Sequence, residues 1–166
     1  MGVMVSQNVR VRQSLLDRLL APPEAAPSGL MLTHDVHHLR DAVARDLEYL
    51  LNARCALDFD HPSMGPHTAR SVACFGVRDF AGRVMHCVED RRFISRSLAH
   101  AIEVHEPRLK QVMVDFHDEQ SLVGSLMFTI RAVLLVRPAK EAVSFDAVLM
   151  PSMSRYQVTQ ARFASA

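Results

Sequence analysis

The chain has 166 residues, of which 49% are hydrophobic and 22% charged, and its formal net charge is +1. That length predicts one domain with a real core, and the composition is ordinary for a globular protein. The near-neutral charge excludes a bulk electrostatic case for nucleic acid, although a local basic patch stays open.

The first predicted element is a short amphipathic helix over residues 13–20, with Ser14 as cap and Leu15, Leu16, Leu19 and Leu20 on its apolar side. Its start, MGVMVSQNVRVRQSLLDRLL, has no continuous apolar stretch followed by a small-residue cleavage site, so no signal peptide is expected. Residues 21–29 (APPEAAPSG) break structure with three prolines and a glycine, and form a linker. The expected organisation is therefore an N-terminal helix and proline-rich linker over 1–29, followed by a single domain over 30–166.

The next helix has Thr33 as N-cap and Asp35 in its first turn. Val36, Leu39, Val43, Leu47 and Leu50 recur at three- and four-residue spacing and predict one buried stripe, with Arg40, Asp41, Arg45 and Glu48 at other positions. The helix ends near Asn52-Ala53. From Cys55 to Arg83 the pattern dissolves among Pro62, Gly65, Pro66, Gly76 and Gly82. Within it, Ser71 to Phe75 suits one helical turn packed by Val72 and Phe75, while Val77, Phe80 and Ala81 read as plugs against the core.

Cys87, Ile94, Leu98, Ala101 and Ile102 predict a helix over 86–104. Val112, Val114 and Phe116 then alternate with Gln111, Met113 and Asp115, a strand over 110–116. The period changes at Glu106-Pro107, where proline ends the helix. Glu106 is left at the negative end of a helix dipole, and Arg108 can compensate it by a bidentate pair, within the chain or across an interface. The alternatives at this point are a helix stop with a local ion pair, or a recognition site on a rigid helix-to-strand junction.

Residues 118–120 form a hairpin turn region. Leu126, Phe128, Ile130, Ala132, Leu134 and Val136 mark the buried face of a long strand. Residues 137–140 turn the chain into a third strand carrying Val143, Phe145, Ala147 and Leu149. Pro151-Ser152 breaks it, and 156–160 is a fourth strand at an edge. The longest apolar run, 132–136, is far too short to cross a bilayer. Helices followed by consecutive strands predict an α+β fold, a mainly antiparallel sheet of about four strands covered by helices on one face. There is no internal repeat.

Cys55, Cys74 and Cys87 show no close-paired spacing, which suggests reduced thiols in a cytoplasmic protein. His34 and His38 lie one helical turn apart beside His37, but no nearby Cys or Glu completes a zinc set. His105-Glu106 starts like a zinc-protease motif, yet no second histidine follows and Pro107 breaks the helix. Glu89, Asp90, Glu103, Glu106, Asp115, Asp118 and Glu119 are candidate acids for glycoside hydrolysis, and none stands out as a pair flanking a cleft. No nucleophile elbow, P-loop or dinucleotide fingerprint occurs. Cys74 reads as a small buried residue. The residues alone give an α+β domain without an active site.

Five blocks in register resemble the TssE family, baseplate subunits of type VI secretion systems related to the "tail lysozyme" wedge protein of contractile phage tails. They are Ser14-Leu15-Leu16-Asp17-Arg18-Leu19, the stretch 45–54 (RDLEYLLNAR), the stretch 71–80 (SVACFGVRDF), Glu106-Pro107-Arg108-Leu109, and Phe145-Asp146-Ala147-Val148-Leu149. The likeness covers about residues 14 to 160. It implies a structural role without catalysis or cofactor, in which Glu106, Pro107 and Arg108 join the wedge to the sheath. The partners it implies are TssF, TssG and TssK of the wedge and the TssB–TssC sheath, in a cytoplasmic baseplate docked at the inner membrane. A phage or prophage tail wedge and a peptidoglycan-cleaving enzyme are the alternatives. The chain departs from the family in its histidine-rich helix start, and in Met150-Pro151-Ser152-Met153-Ser154, which stands where a Gly-rich turn is expected.

Overall fold

A computed structural model of the chain describes residues 19–20, 36–55, 57, 65–80, 83, 87–117, 126–136, 139–150 and 155–160. The Thr33 cap, the 21–29 linker and the turn regions 118–120 and 151–154 lie outside the described residues. So do most of the first predicted helix and its expected domain boundary.

Helix α1 runs Val36–Asn52. Leu39, Val43, Leu47 and Leu50 are buried as their spacing predicts, joined by Ala42, Ala44 and Leu51. Arg40 departs from expectation: it is buried, and its guanidinium pairs with Glu141. A guanidinium at the edge of an apolar stripe can be buried once a carboxylate meets it.

A one-turn helix, Pro66–Ala69, and a 3-10 turn, Val72–Cys74, lead to the second long helix. Of the residues expected to pack this turn, Phe75 lies against the core, and Cys74 is buried as read, but Val72 faces outward. Val72 is 89% exposed and Cys74 is fully buried. The Ser71 hydroxyl accepts from the Ala73 N–H and fixes that turn. Helix α2 is Val88–His105, with Ile94, Leu98, Ala101 and Ile102 buried and Cys87 at its N-cap.

The sheet has four strands, β1 (Leu109–Phe116), β2 (Leu126–Val136), β3 (Ala139–Met150) and β4 (Arg155–Gln160), in sequence order and antiparallel throughout. This is the α+β architecture that the order of elements predicts. Residues 139 and 140 belong to β3, not to a turn, since Ala139 pairs with Val136 and Lys140 with Leu135. Phe128, Ile130, Leu134 and Phe145 of the inner face are almost fully buried, and both long helices contribute to the same core.

Strand β1 carries an irregularity that strict alternation hides. Leu109 and Val112 both face the core, although their spacing would place them on opposite sides of a regular strand. Register shifts between Lys110 and Met113, and Gln111 takes a φ of 54°, a left-handed conformation at a bulge. The extra residue turns Leu109 inward, against Leu134.

The helices also close the sheet's two edges. On β4 the Tyr156 N–H donates to Asn52 Oδ1 and its carbonyl accepts from Asn52 Nδ2, both at 2.8 Å. The Val158 N–H donates to Glu48 Oε2 at 3.1 Å. On β1 the Val112 N–H donates to Glu103 Oε1 at 3.2 Å, and the Ser95 hydroxyl donates to the Val114 carbonyl. Strand β4 is an edge in topology, as expected, but helix side chains already occupy these outward backbone groups.

Candidate functional site

The junction after α2 is built by one proline and one acid. The Glu106 N–H donates to the Ile102 carbonyl at 2.8 Å and closes the last helical turn. Glu106 itself leaves the helical region, with φ −117° and ψ 83°, as the following proline disfavours helical geometry there. Its carbonyl accepts the Leu109 N–H at 3.1 Å, so Pro107 and Arg108 are the corner of a β-turn with proline at its favoured position. Beyond the turn, the Arg108 carbonyl accepts the Leu135 N–H at 2.8 Å, which ties the corner to β2.

The side chains of the corner form a buried ion cluster. Glu106 is 6% exposed. Its Oε1 accepts from the Arg108 backbone N–H at 3.2 Å and from Arg108 Nε at 2.7 Å, while Arg108 Nη2 donates to Oε2. The same Nη2 reaches Asp46 Oδ2 of α1 at 2.5 Å. The predicted bidentate pair is therefore made within the chain, and is far from a solvated surface pair. Burial works against the charge on Arg108, but the Glu106 and Asp46 carboxylates outweigh it and hold its pKa above the ordinary arginine value. Pro107 remains exposed at the tip.

Sequence reasoning missed Asp46. It lies 62 positions from Arg108, and nothing in local spacing joins them. The one available signal was its place beside the buried Leu47, which puts it at the core margin of α1.

Next to this corner sits the 71–80 segment. His105 Nε2 donates to the Cys74 carbonyl at 2.9 Å, and its ring meets Phe75 edge-on at 5.4 Å between centroids. Ala53 and Cys55 bond to Val77 in a short parallel bridge, N–H to carbonyl at 2.9 and 3.0 Å. Three blocks distant in sequence, 45–54, 71–80 and Glu106–Leu109, thus converge on one corner of the fold.

Burial lowers the His105 pKa below its ordinary value of 6.5; the Cys74 carbonyl opposes that shift and His100 adds to it. The unfolded chain therefore takes up the proton first. The His105 contribution to stability is complete above about pH 6.5 and is lost as pH falls towards the folded-state value. We expect His105→Gln to flatten the pH dependence of the urea midpoint as pH falls below about 6.5. An unchanged profile would assign that slope to other groups.

The remaining candidates are dispersed. His37 and His38 are exposed, His34 lies outside the described residues, and no group of three metal-ligating side chains occurs among those described. The acids are individually engaged: Asp90 with Arg83 at 2.9 Å, Asp115 with Arg131 at 2.5 Å, and Glu103 and Glu106 as above. Glu89 accepts from the Cys87 thiol at 2.9 Å, and that bond, with its own backbone N–H and Arg92 adding, lowers its pKa despite desolvation and Asp90. Asp118 and Glu119 lie outside the described residues. No helix among the described residues is long and apolar enough to cross a membrane.

Residues 37–139, from α1 through the junction to the start of β3, match the family model of the baseplate wedge protein gp25. The chain belongs to this baseplate wedge family. Among solved structures, a Geobacter sulfurreducens protein carrying the name "tail lysozyme" is similar, at 12% identity and a TM-score of 0.41, over 82% of this chain and all of that one. At that level of similarity it carries no argument about activity. The comparison with curated proteins gives no match. Wedge-family membership is consistent with the arrangement of the junction, which fixes a shape.

Proposed function

We propose that this wedge-family chain is a structural baseplate subunit of a type VI secretion system, and that it joins the wedge to the contractile sheath through Glu106, Pro107 and Arg108. The observation that supports this most is the Glu106–Arg108–Asp46 cluster. It locks a helix-to-strand corner to α1 and leaves Pro107 outward on a rigid mount, which reduces the ordering cost of docking a partner. The cluster does so by shape, since most of the charge is spent internally. In this reading the protein has no catalytic role.

Its partners would be TssF, TssG and TssK on the wedge side and TssB–TssC on the sheath side, in a cytoplasmic baseplate docked at the inner membrane. Residues 30–166 would be the wedge domain, and 1–29 a tethered segment for a neighbouring subunit. Because Asn52, Glu48, Glu103 and Ser95 already occupy outward edge groups, a strand added by a partner must displace them or pair beyond them.

The test is co-purification from the native cell through a C-terminal tag, comparing wild type with Pro107→Tyr. Pro107 is chosen because it is exposed, whereas Arg108→Ala disturbs the fold as well as the surface. The wild type is expected to bring down wedge and sheath subunits. The variant should lose sheath about tenfold, the cost of about 1.4 kcal/mol, while keeping wedge subunits and its melting temperature. Equal sheath recovery by both would remove Pro107 from the contact. Recovery of phage tail proteins instead would favour a tail wedge, a reading the family match suits equally well.

A further inference from the structure

Two of the cysteines that look unrelated in sequence meet in the fold. Cys55 follows the end of α1 and is 8% exposed; Cys74 ends the 3-10 turn and is fully buried. Their thiols are in hydrogen-bond contact, and the Cys55 thiol also reaches the Leu57 carbonyl at 3.5 Å. With Cys55 donating to that carbonyl, the Cys74 S–H is the donor to the Cys55 sulfur. Both are thiols outside any disulfide. Their backbones are already joined through the Ala53 and Cys55 bonds to Val77, which hold the two segments side by side.

From this arrangement we infer that Cys55 and Cys74 are an oxidisable pair, which peroxide converts to an intramolecular disulfide stapling the 71–80 segment to the end of α1. Cys55, the more accessible, reacts first. After losing its proton, its sulfur attacks one oxygen of hydrogen peroxide. The O–O bond breaks, the departing hydroxide takes up that proton as water, and a sulfenic acid remains on Cys55. The Cys74 sulfur then attacks the Cys55 sulfur. The S–S bond forms, the S–O bond breaks, and hydroxide leaves with the Cys74 proton as a second water. Two thiols are oxidised and one peroxide is reduced to two waters.

The division of roles follows from the surroundings. Burial, reinforced by the neighbouring Cys55, raises the Cys74 pKa above that of a free thiol, which suits it to resolve rather than to initiate. Cys87 is half-buried at the start of α2, and its thiol is directed to Glu89. It has no part in the pair. The staple would close a loop over residues 56–73 next to the corner that holds Glu106 and Arg108.

The experiment uses the full chain carrying Cys87→Ser, so that only the pair remains. The reduced protein is treated with hydrogen peroxide, unfolded in N-ethylmaleimide, and weighed by mass spectrometry. We expect a mass lower by two hydrogens, no maleimide adduct, a linked peptide joining 55 to 74, and reversal by dithiothreitol. The melting temperature of the oxidised form should rise by roughly 5–10 °C. Two maleimide adducts after treatment, sulfinic acid at Cys55 beside a free Cys74, a disulfide between molecules, or an unmoved melting temperature would each overturn the staple.

Discussion

Glu106→Ala is expected to lower the stability of this fold by about 3 kcal/mol, seen as a reduced urea midpoint at unchanged slope. The carboxylate is 6% exposed and receives three N–H donors, one from the Arg108 backbone and two from its guanidinium. Removing it leaves a guanidinium with a quarter of its side chain exposed and Asp46 as its remaining partner in the cluster. A buried pair broken on one side costs more than the pair ever contributed, because the surviving charge keeps its desolvation penalty. The double variant Glu106→Ala/Arg108→Ala should therefore be less damaged than the sum of the singles, by about 1–2 kcal/mol. Additive losses, or a Glu106→Ala loss below about 0.5 kcal/mol, would mean that water replaces the carboxylate freely and that the corner is not held by charge.

The same cluster marks how far the sequence could be read. Proline after a helical period, with an acid before it and an arginine after it, is a local pattern, and local geometry decides it. The helix end, the strand start and the Glu106–Arg108 pair were all legible for that reason. The buried face of β2 was legible too, since strict alternation from Leu126 to Val136 leaves one choice of register. The partners of Arg40, Asp46 and Cys74 were not. Each of these residues acquires its role from a partner contributed by another element: Glu141 for Arg40, Arg108 for Asp46, Cys55 for Cys74. A charged residue beside an apolar stripe has the same pattern whether it ends in solvent or against a carboxylate. Val72 was misplaced because one 3-10 turn is too short for a period to show, so tertiary packing decides that it faces outward while Cys74 and Phe75 face the core as read. The bulge at Gln111 had a trace, since Leu109 and Val112 are both apolar at a spacing that a regular strand cannot bury on one face.

Gly76→Ala is the sharpest single-atom test of how the corner is assembled. Gly76 has a φ of +123°, outside the region that side chains tolerate. A methyl group there would lie 2.5 Å from the Ala53 carbonyl oxygen, 2.7 Å from its carbon and 3.0 Å from the Cys55 nitrogen. All three are backbone atoms, so no side chain can swing aside. They are also the atoms that tie the end of α1 to Val77, through bonds of 2.9 and 3.0 Å. Relief requires the 71–80 segment to lift, and both bonds then go. Backbone strain of about 1–3 kcal/mol and two hydrogen bonds at about 1 kcal/mol each set the scale. We expect a loss of about 3–4 kcal/mol and a fall in melting temperature of roughly 10 °C. Lifting the segment also takes Phe75 off the His105 ring and relieves the burial that lowers its pKa, an effect larger than the loss of the opposing Cys74 carbonyl. The variant should accordingly show a weaker acid dependence of stability, as His105→Gln does. Gly65→Ala is the control, because nothing lies within 4 Å of the added methyl there and its φ is −68°. It should cost less than about 1 kcal/mol, the loss of a glycine N-cap. If Gly76→Ala melts as high as Gly65→Ala, the end of α1 yields to the methyl. The 71–80 segment then rests on the core through Cys74, Val77 and Phe80 and not through its backbone bridge.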